Sequence, residues 1–398
     1  MQEATLSRRA VRLSATPLPA EHEGVISFDS GHAFPGILPD LTQAAERALT
    51  TYRAETLQYA PRAGLPALRE WISAYMQEDG ADVSPDEVLV VNGAKHGLDL
   101  ICRLLTDEGD FIVVTAPTYF TAIPIFRSYG LNFIEIGQDD EGLDVTALSE
   151  RLSERRRQGL KPPKFIYDIP DFHNPTGANT SRRRREALIA VAAAAEIPII
   201  EDSPYRKVRF EGDSEPSFKA LDRDGIVFTL GTFSKLMAPG LRIGWISGAQ
   251  AMLARMAQLK SDGGTCPLTQ RIIVEFCKEG GLSPHLERVR KTYGSHRDHM
   301  EAALRRELPD VAFAEPQGGY YLWLRFPAET DTDVVAGRAR EAGVAVIAGS
   351  KFFAGGEASY PKNQGSPKNY MRLAYSHAAP AEIDEGVRRL AASYRSMR

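Results

Sequence analysis

The chain has 398 residues, of which 43% are hydrophobic and 25% charged, and a formal net charge of −4. That length accommodates two or three substructures around a large core, and the near-neutral balance gives no electrostatic argument for nucleic acid or an anionic membrane as a partner. No apolar stretch approaches the roughly 20 residues that a bilayer span needs. The three cysteines, Cys102, Cys266 and Cys277, lack metal-ligand spacing, so free thiols in a reducing cytoplasm and no metal site are expected.

The first residues, Met1 to Arg9, contain no hydrophobic signal core, which predicts no export. Residues 1 to about 45 are rich in turn formers (Gly31, Pro35, Gly36, Pro39) and read as an irregular arm or strap. Leu68, Trp71, Ile72 and Tyr75 have helical spacing across 67–77. A turn at Ser84–Glu87 precedes the apolar strand Val88–Val91, and Gly93 opens a helix with the stripe Leu98, Ile101, Leu104, Leu105. Four short apolar runs follow, 111–115, 165–169, 197–200 and 226–230, with an alanine-rich helix at 182–195 between the second and third. Continuous apolar runs separated by helices predict an α/β fold whose mostly parallel, seven-stranded-type sheet is covered on both faces. Right-handed crossovers would bring the segments 171–177, 202–205 and 232–235 to one edge, where ligands bind in such sheets. The arginine clusters 155–157 and 182–185 lie in polar helical stretches and read as solvated faces rather than a nucleic-acid surface.

Beyond about residue 285 the texture changes. A long polar helix (283–306), a strand (318–324), a helix (336–342), a strand (344–347), a surface loop (355–369), a strand (371–375) and a last helix predict a smaller α+β domain. The expected organisation is therefore an arm and part of the small domain in 1–45, a large domain in 46–285 and a small domain in 286–398. No internal repeat or low-complexity tract is present.

The chemistry-bearing residues fall at the ends of these predicted strands. Lys235, in Thr232-Phe233-Ser234-Lys235, could hold an aldehyde as an imine, with Arg242 seven positions on; a solvated strand end is the plainer reading of a lone lysine. Asp202 follows an apolar run and could keep a pyridine nitrogen protonated, the alternative being a helix cap or turn residue. Tyr205, and Asn174 held extended before Pro175, could both donate to a phenolate oxygen, although Asn-Pro also suits a simple turn. Gly93, Ala94 and Lys95 sit where a strand gives way to a helix N-terminus, a favourable place for a phosphate, and Thr232, Ser234 and Arg242 could complete that anion site. Tyr119 follows a strand and could lie flat on an aromatic ring or belong to the core. Arg372 interrupts an apolar strand, where its fork suits a substrate carboxylate or an internal salt bridge. One cofactor, pyridoxal 5′-phosphate, accounts for all of them together.

These residues also carry a resemblance. Asn174-Pro175-Thr176-Gly177, Asp202-Ser203-Pro204-Tyr205, Ser234-Lys235 with Pro239-Gly240-Leu241-Arg242-Ile243-Gly244, and Arg372 resemble the fold-type I aminotransferases of class I/II, as does the early stretch Gln58-Tyr59-Ala60-Pro61 with Gly64. The similarity runs from about residue 24 onward and is strongest to the branch of 2-aminoadipate and broad-specificity aminotransferases. It implies that Lys235 forms the cofactor imine and shuttles the proton during transfer from an L-amino acid to a 2-oxo acid, 2-oxoglutarate foremost. It implies that Asp202 pairs with the ring nitrogen, that Asn174 and Tyr205 bind the phenolate oxygen, and that Gly93, Ala94, Lys95, Thr232, Ser234 and Arg242 hold the phosphate. Tyr59 would reach that phosphate from the second subunit of a homodimer. Arg372 would bind the substrate carboxylate, with Asn174 beside it and with Gly31 in the strap 29–36 over the side-chain pocket. Lys95 and His173 depart from the usual pattern. The scaffold leaves other outcomes open, among them a β-lyase, decarboxylase, cyclase or oxidase. An aminotransferase-like sensor of a transcriptional regulator would need a DNA-binding module, for which about 25 preceding residues are too few.

Overall fold

The computed structural model describes residues 6–13, 24–359 and 367–397. Its strands, in chain order, are β1 (Ile26–Ser27), β2 (Val88–Val91), β3 (Phe111–Ala116), β4 (Asn132–Asp139), β5 (Gly142–Leu143), β6 (Ile166–Asp168), β7 (Ile199–Asp202), β8 (Val227–Thr232), β9 (Gly244–Ser247), β10 (Ala312–Phe313), β11 (Tyr321–Arg325), β12 (Val344–Ala345), β13 (Ile347–Ala348), β14 (Glu357–Ser359) and β15 (Tyr370–Ala374). The large sheet has the order β14-β4-β3-β6-β7-β8-β9-β2, with β5 paired onto β4. Every pairing from β14 to β8 is parallel, and β9 runs antiparallel to both β8 and β2. Strands β2, β6, β7 and β8 are buried at every residue, as expected of strands with helices on both faces. The second sheet, β10-β11-β15-β13, is small and antiparallel.

This topology gathers the chemistry. Strands β2, β3, β6, β7 and β8 share one direction, so their C-terminal ends lie on the same edge; β9 runs the other way and brings its N-terminal end there too. Gly244 is paired with both Thr232 and Val91, which sets the start of β9 between the ends of its two neighbours. The predicted edge is therefore real, and besides the three expected segments, which follow β6, β7 and β8, it collects the connections that follow β2 and β3.

Three segments differ from the sequence expectation. Residues 355–369 are not wholly a surface loop: β14 adds in parallel to β4, and residues 360–366 lie outside the described residues. The cause is on β4, where the buried Glu135 carboxylate accepts from the backbone N–H of Ala354 (2.6 Å) and Gly356 (3.0 Å) and docks the segment on the open edge. The single strand expected at 344–347 is split, since β12 pairs in parallel with β1 while β13 pairs with β15. The arm is also less irregular than expected, carrying β1 and a helix over Thr42–Thr50. The long helix is Leu282–Glu307, close to its expected span, and Ser181 caps the alanine-rich helix Arg182–Ala194 by accepting from Arg184 N.

Candidate active site

Lys235 lies on the single helical turn Phe233–Leu236 that follows β8 without a break. Its Nζ donates to the Gly31 carbonyl at 2.6 Å and stands 4.8 Å from the centre of the Tyr320 ring. Burial, and then the cations of Arg372, Lys95 and Arg242, bring its ammonium down to about 7 from the ordinary 10.5. A lysine with a large unprotonated fraction near pH 7 is a nucleophile, not the solvated strand end that a lone lysine suggests. Gly31 matters for the same contact: a Cβ there would collide with the Tyr321 hydroxyl and lie 3.4 Å from Lys235 Nζ.

Asp202 closes β7 and is 3% exposed. Its Oδ2 accepts from the Tyr167 hydroxyl at 2.7 Å, while Oδ1 is buried with no partner among the described residues. Burial raises the carboxyl to about 6, and the Tyr167 hydroxyl opposes that rise. Neither plainer reading holds, because the side chain caps no helix and does not face solvent. The adjacent Glu201 does the capping instead. Strand alternation turns it to the opposite face, where it accepts from the backbone N–H of Phe218 (2.8 Å) and Lys219 (3.3 Å) and from the Thr229 hydroxyl (2.8 Å).

Asn174 and Arg372 meet directly. Asn174 Oδ1 accepts from Arg372 Nη1 at 3.1 Å, and the buried Asn174 Nδ2 has no partner among the described residues. The Asn174–Pro175 peptide is cis and lies in a turn. Arg372, 1% exposed on β15, also donates to the Asp29 carbonyl and is ringed by Tyr321, Phe120 and Phe352 at 4.1, 5.2 and 5.2 Å. Its Nε has no partner, and among the described residues no carboxylate pairs with it, which removes the internal salt bridge. Tyr205, also buried, donates to the Tyr321 hydroxyl at 3.2 Å. Tyr119 follows β3; burial first, then Tyr321, raises its hydroxyl, with weaker influences from Asp202 and Arg372.

A second group lies at the ends of β2, β8 and β9. Gly93, at φ 81°, precedes the helix Ala94–Leu105, and a Cβ on it would lie 2.9 Å from Arg242 Nη2. Gly244 allows an equally close approach, since a Cβ there would lie 2.7 Å from the Gly231 carbonyl oxygen and 2.9 Å from Ala94 N. The Thr232 and Ser234 hydroxyls are 3.1 Å apart, and Ser234 N donates to Thr232 Oγ1 at 3.1 Å. Lys95 keeps much of its surface exposed, yet its ammonium is lowered by partial burial and then by Arg242, so the two cations share one region. Gly93, Ala94, Lys95, Thr232, Ser234 and Arg242 are thus brought together at one helix N-terminus. Tyr59 is not among them: it is 85% exposed, beside the turn at Gly263.

Several participants were not singled out from the sequence. Tyr167, Tyr320, Tyr321, Phe120 and Phe352 read as core aromatics, and nothing short of strand register shows which of them face Asp202 or Arg372. The departure at His173 also finds its explanation here. Its Nε2 meets the Thr115 hydroxyl at 3.0 Å, and its Nδ1 meets Thr176 Oγ1 at 3.0 Å and Gln138 Nε2 at 3.3 Å. Burial takes it down to about 3, so it stays neutral and ties the Asn174 turn to β3 and β4.

Comparison with known proteins agrees over nearly the whole chain. The family described as aminotransferase class I and II matches residues 22–390. The aromatic-amino-acid aminotransferase 1 of Thermococcus litoralis is 34% identical over 395 residues, covering 98% of this chain and 92% of its own. The 2-aminoadipate transaminase of Thermus thermophilus is 34% identical over 397 residues, 98% and 93% of the two chains. The solved structure of Pyrococcus horikoshii kynurenine aminotransferase in complex with PMP is similar at a TM-score of 0.90 and 32% identity, covering 99% of this chain and 98% of that one.

Proposed function

We propose that this chain, which belongs to the class I and II aminotransferases and is a pyridoxal-phosphate-dependent transaminase, takes large L-amino acids, aromatic or aminoadipate-like, as donors and a 2-oxo acid, 2-oxoglutarate foremost, as acceptor. The donor class is supported by the aromatic surround of Arg372 (Tyr321, Phe120, Phe352) and by the substrates named for the relatives. The acceptor follows from the family resemblance alone. The lyase, decarboxylase, cyclase, oxidase and sensor readings are not favoured by the comparisons.

One observation carries the site assignment: three buried polar atoms without a partner among the described residues, Asp202 Oδ1, Asn174 Nδ2 and Arg372 Nε, lie in the same site as a lysine whose ammonium is brought down to about 7. Their chemistry fits the cofactor and its substrate, with an acceptor for a pyridine N–H, a donor for a phenolate oxygen, and a guanidinium without a counter-charge for a carboxylate. When bound, pyridoxal phosphate supplies an aldehyde for the amine and an electron-withdrawing ring. In this reading Lys235 would hold that aldehyde and, as a free amine, would move the proton on and off the substrate Cα. Asp202 holds the ring nitrogen protonated, Asn174 and Tyr205 donate to the phenolate oxygen, and Tyr119 covers the ring face. Gly93, Ala94, Lys95, Thr232, Ser234 and Arg242 bind the phosphate through backbone donors, hydroxyls and two cations. Arg372 orients the α-carboxylate, with Asn174 bracing the guanidinium and Gly31 leaving room beside Lys235.

The same reading divides the chain into an arm (1–45), a cofactor-holding part (46–285) and a C-terminal part (286–398), and it makes the enzyme a cytoplasmic homodimer with small molecules as its other partners. Exposed Leu57 and Tyr59, 62% and 85% accessible, support a second copy covering that loop, with Tyr59 reaching the partner's phosphate site. Among the described residues no helix is long and apolar enough to cross a membrane, and the three cysteines are free. The test is a half-reaction. A preferred donor alone should convert the yellow enzyme to its pyridoxamine form, and a 2-oxo acid should restore the colour. Failure of a broad panel of amino acids to bleach it would sink the proposal.

A further inference from the structure

We infer that Tyr167 is a positioning residue for the carboxylate at the ring nitrogen: its hydroxyl anchors Asp202 Oδ2, leaving Oδ1 as the oxygen presented to the cofactor. This rests on the assignment of Asp202 to that nitrogen.

The placement follows from strand register. In the parallel β6–β7 pair Tyr167 lies opposite Ile200, so the two share a face; Asp202, two residues past Ile200, lies on that face as well. The tyrosine ring packs on Phe126 at 5.4 Å between ring centres and reaches one pleat along the strand, so its hydroxyl meets Oδ2 at 2.7 Å with no exposure of the side chain. That is the side-chain hydrogen bond Asp202 makes among the described residues, and it uses one oxygen. A carboxyl rotates readily about its last torsion, so a bond to one oxygen also fixes the direction of the other. The Tyr167 hydroxyl is pushed well up by burial and then by the Asp202 charge, so it remains a donor, and donation to a carboxylate favours the ionised form. Tyr167 thereby aims Asp202 and opposes the effect of burial on it.

The test separates action through the ring nitrogen from general support of the fold. Full-length apoprotein is titrated with pyridoxamine 5′-phosphate and with its 1-deaza analogue, which lacks that nitrogen. The wild type should prefer the natural compound. Tyr167→Phe should weaken its binding about tenfold, the scale of one hydrogen bond to a charged group, and should change binding of the deaza analogue less than about twofold. Equal weakening of both probes, or of neither, overturns the proposal. A wild type that fails to prefer the natural compound overturns it together with the Asp202 assignment, so the two failures are distinguishable. Should Tyr167→Phe not fold, 3-fluorotyrosine incorporated in place of Tyr167 keeps the shape and makes a stronger donor; preference for the natural compound should then rise, and an unchanged preference refutes the inference.

Discussion

The neutral state of Lys235 gives the sharpest prediction. A lysine with its ordinary value of 10.5 is about one part in a thousand uncharged at pH 7.5, whereas one at about 7 is roughly three-quarters uncharged, an advantage of several hundredfold in reactive amine. The rate at which full-length apoprotein gains visible absorbance on mixing with pyridoxal phosphate should therefore climb from pH 5.5, reach half its maximum near 7 and level off by about 8.5. Arg372 is the cation that acts most strongly on the lysine, so Arg372→Met, which keeps the bulk and removes the charge, should move the midpoint upward. The stability linkage has a definite sign. The folded lysine loses its proton near 7 and the unfolded one near 10.5, so between these values the unfolded chain binds more protons and stability rises with pH. Below 7 both forms are protonated and the full cost of burying the charge is present. Urea melts of wild-type apoprotein and Lys235→Met should diverge across that window by at most about 1.4 kcal/mol per pH unit. A rate that keeps rising in proportion to hydroxide up to pH 10 would refute the reasoning, because the lysine would then be ordinary and solvated.

Other substitutions test the remaining contacts. Lys235→Ala should abolish turnover, measured as product from a donor and a 2-oxo acid. Arg372→Ala should raise KM for donor and acceptor together by about a hundredfold, as expected for loss of a charge-assisted carboxylate contact worth about 2–3 kcal/mol, with the absorbance of bound cofactor retained. In Gly31→Ala the added methyl collides with the Tyr321 hydroxyl beside Lys235; large donors should lose about tenfold in kcat/KM, more than small ones such as alanine. Gly244→Ala places a methyl 2.7 Å from the Gly231 carbonyl and 2.9 Å from Ala94 N, so urea melts should show a loss of about 1–3 kcal/mol and titrations a weaker hold on pyridoxal phosphate.

Much of this site was legible in the sequence because the fold class fixes where strand ends go. Continuous apolar runs separated by helices imply a parallel sheet, and a parallel sheet sends every strand's C-terminal end to one edge. Asp202, Asn174, Lys235 and Gly93 each follow such a run directly, so their meeting could be expected without coordinates. Strand β9 was harder to read, since Gly244–Ser247 is a short run behind the chemical motif and its antiparallel direction is a property of the sheet. The same holds for β14: nothing within 355–369 signals a strand, because the feature that recruits it is Glu135, more than 200 positions away.

The deeper limit is parity. Glu201 and Asp202 are neighbouring carboxylates at the end of one apolar run, both fully buried, and by residue type either could face a ring nitrogen. Register separates them. Asp202 shares the face of Tyr167 and the substrate edge, whereas Glu201 faces the helix Phe218–Leu221 and is saturated by two backbone N–H groups and the Thr229 hydroxyl. Burial raises both carboxyls, to about 6 for Asp202. A raised carboxyl at a strand end is therefore not by itself the mark of the cofactor partner. The mark is an oxygen left over after the protein's own donors are counted, which Asp202 has and Glu201 lacks. Arg372 and Asn174 satisfy the same criterion on the donor side: Arg372 spends Nη1 on Asn174 and Nη2 on the Asp29 carbonyl and leaves Nε unused, and Asn174 accepts at Oδ1 and leaves Nδ2 unused, among the described residues. The unfilled valences, more than the residue types, identify the side chains that address a ligand.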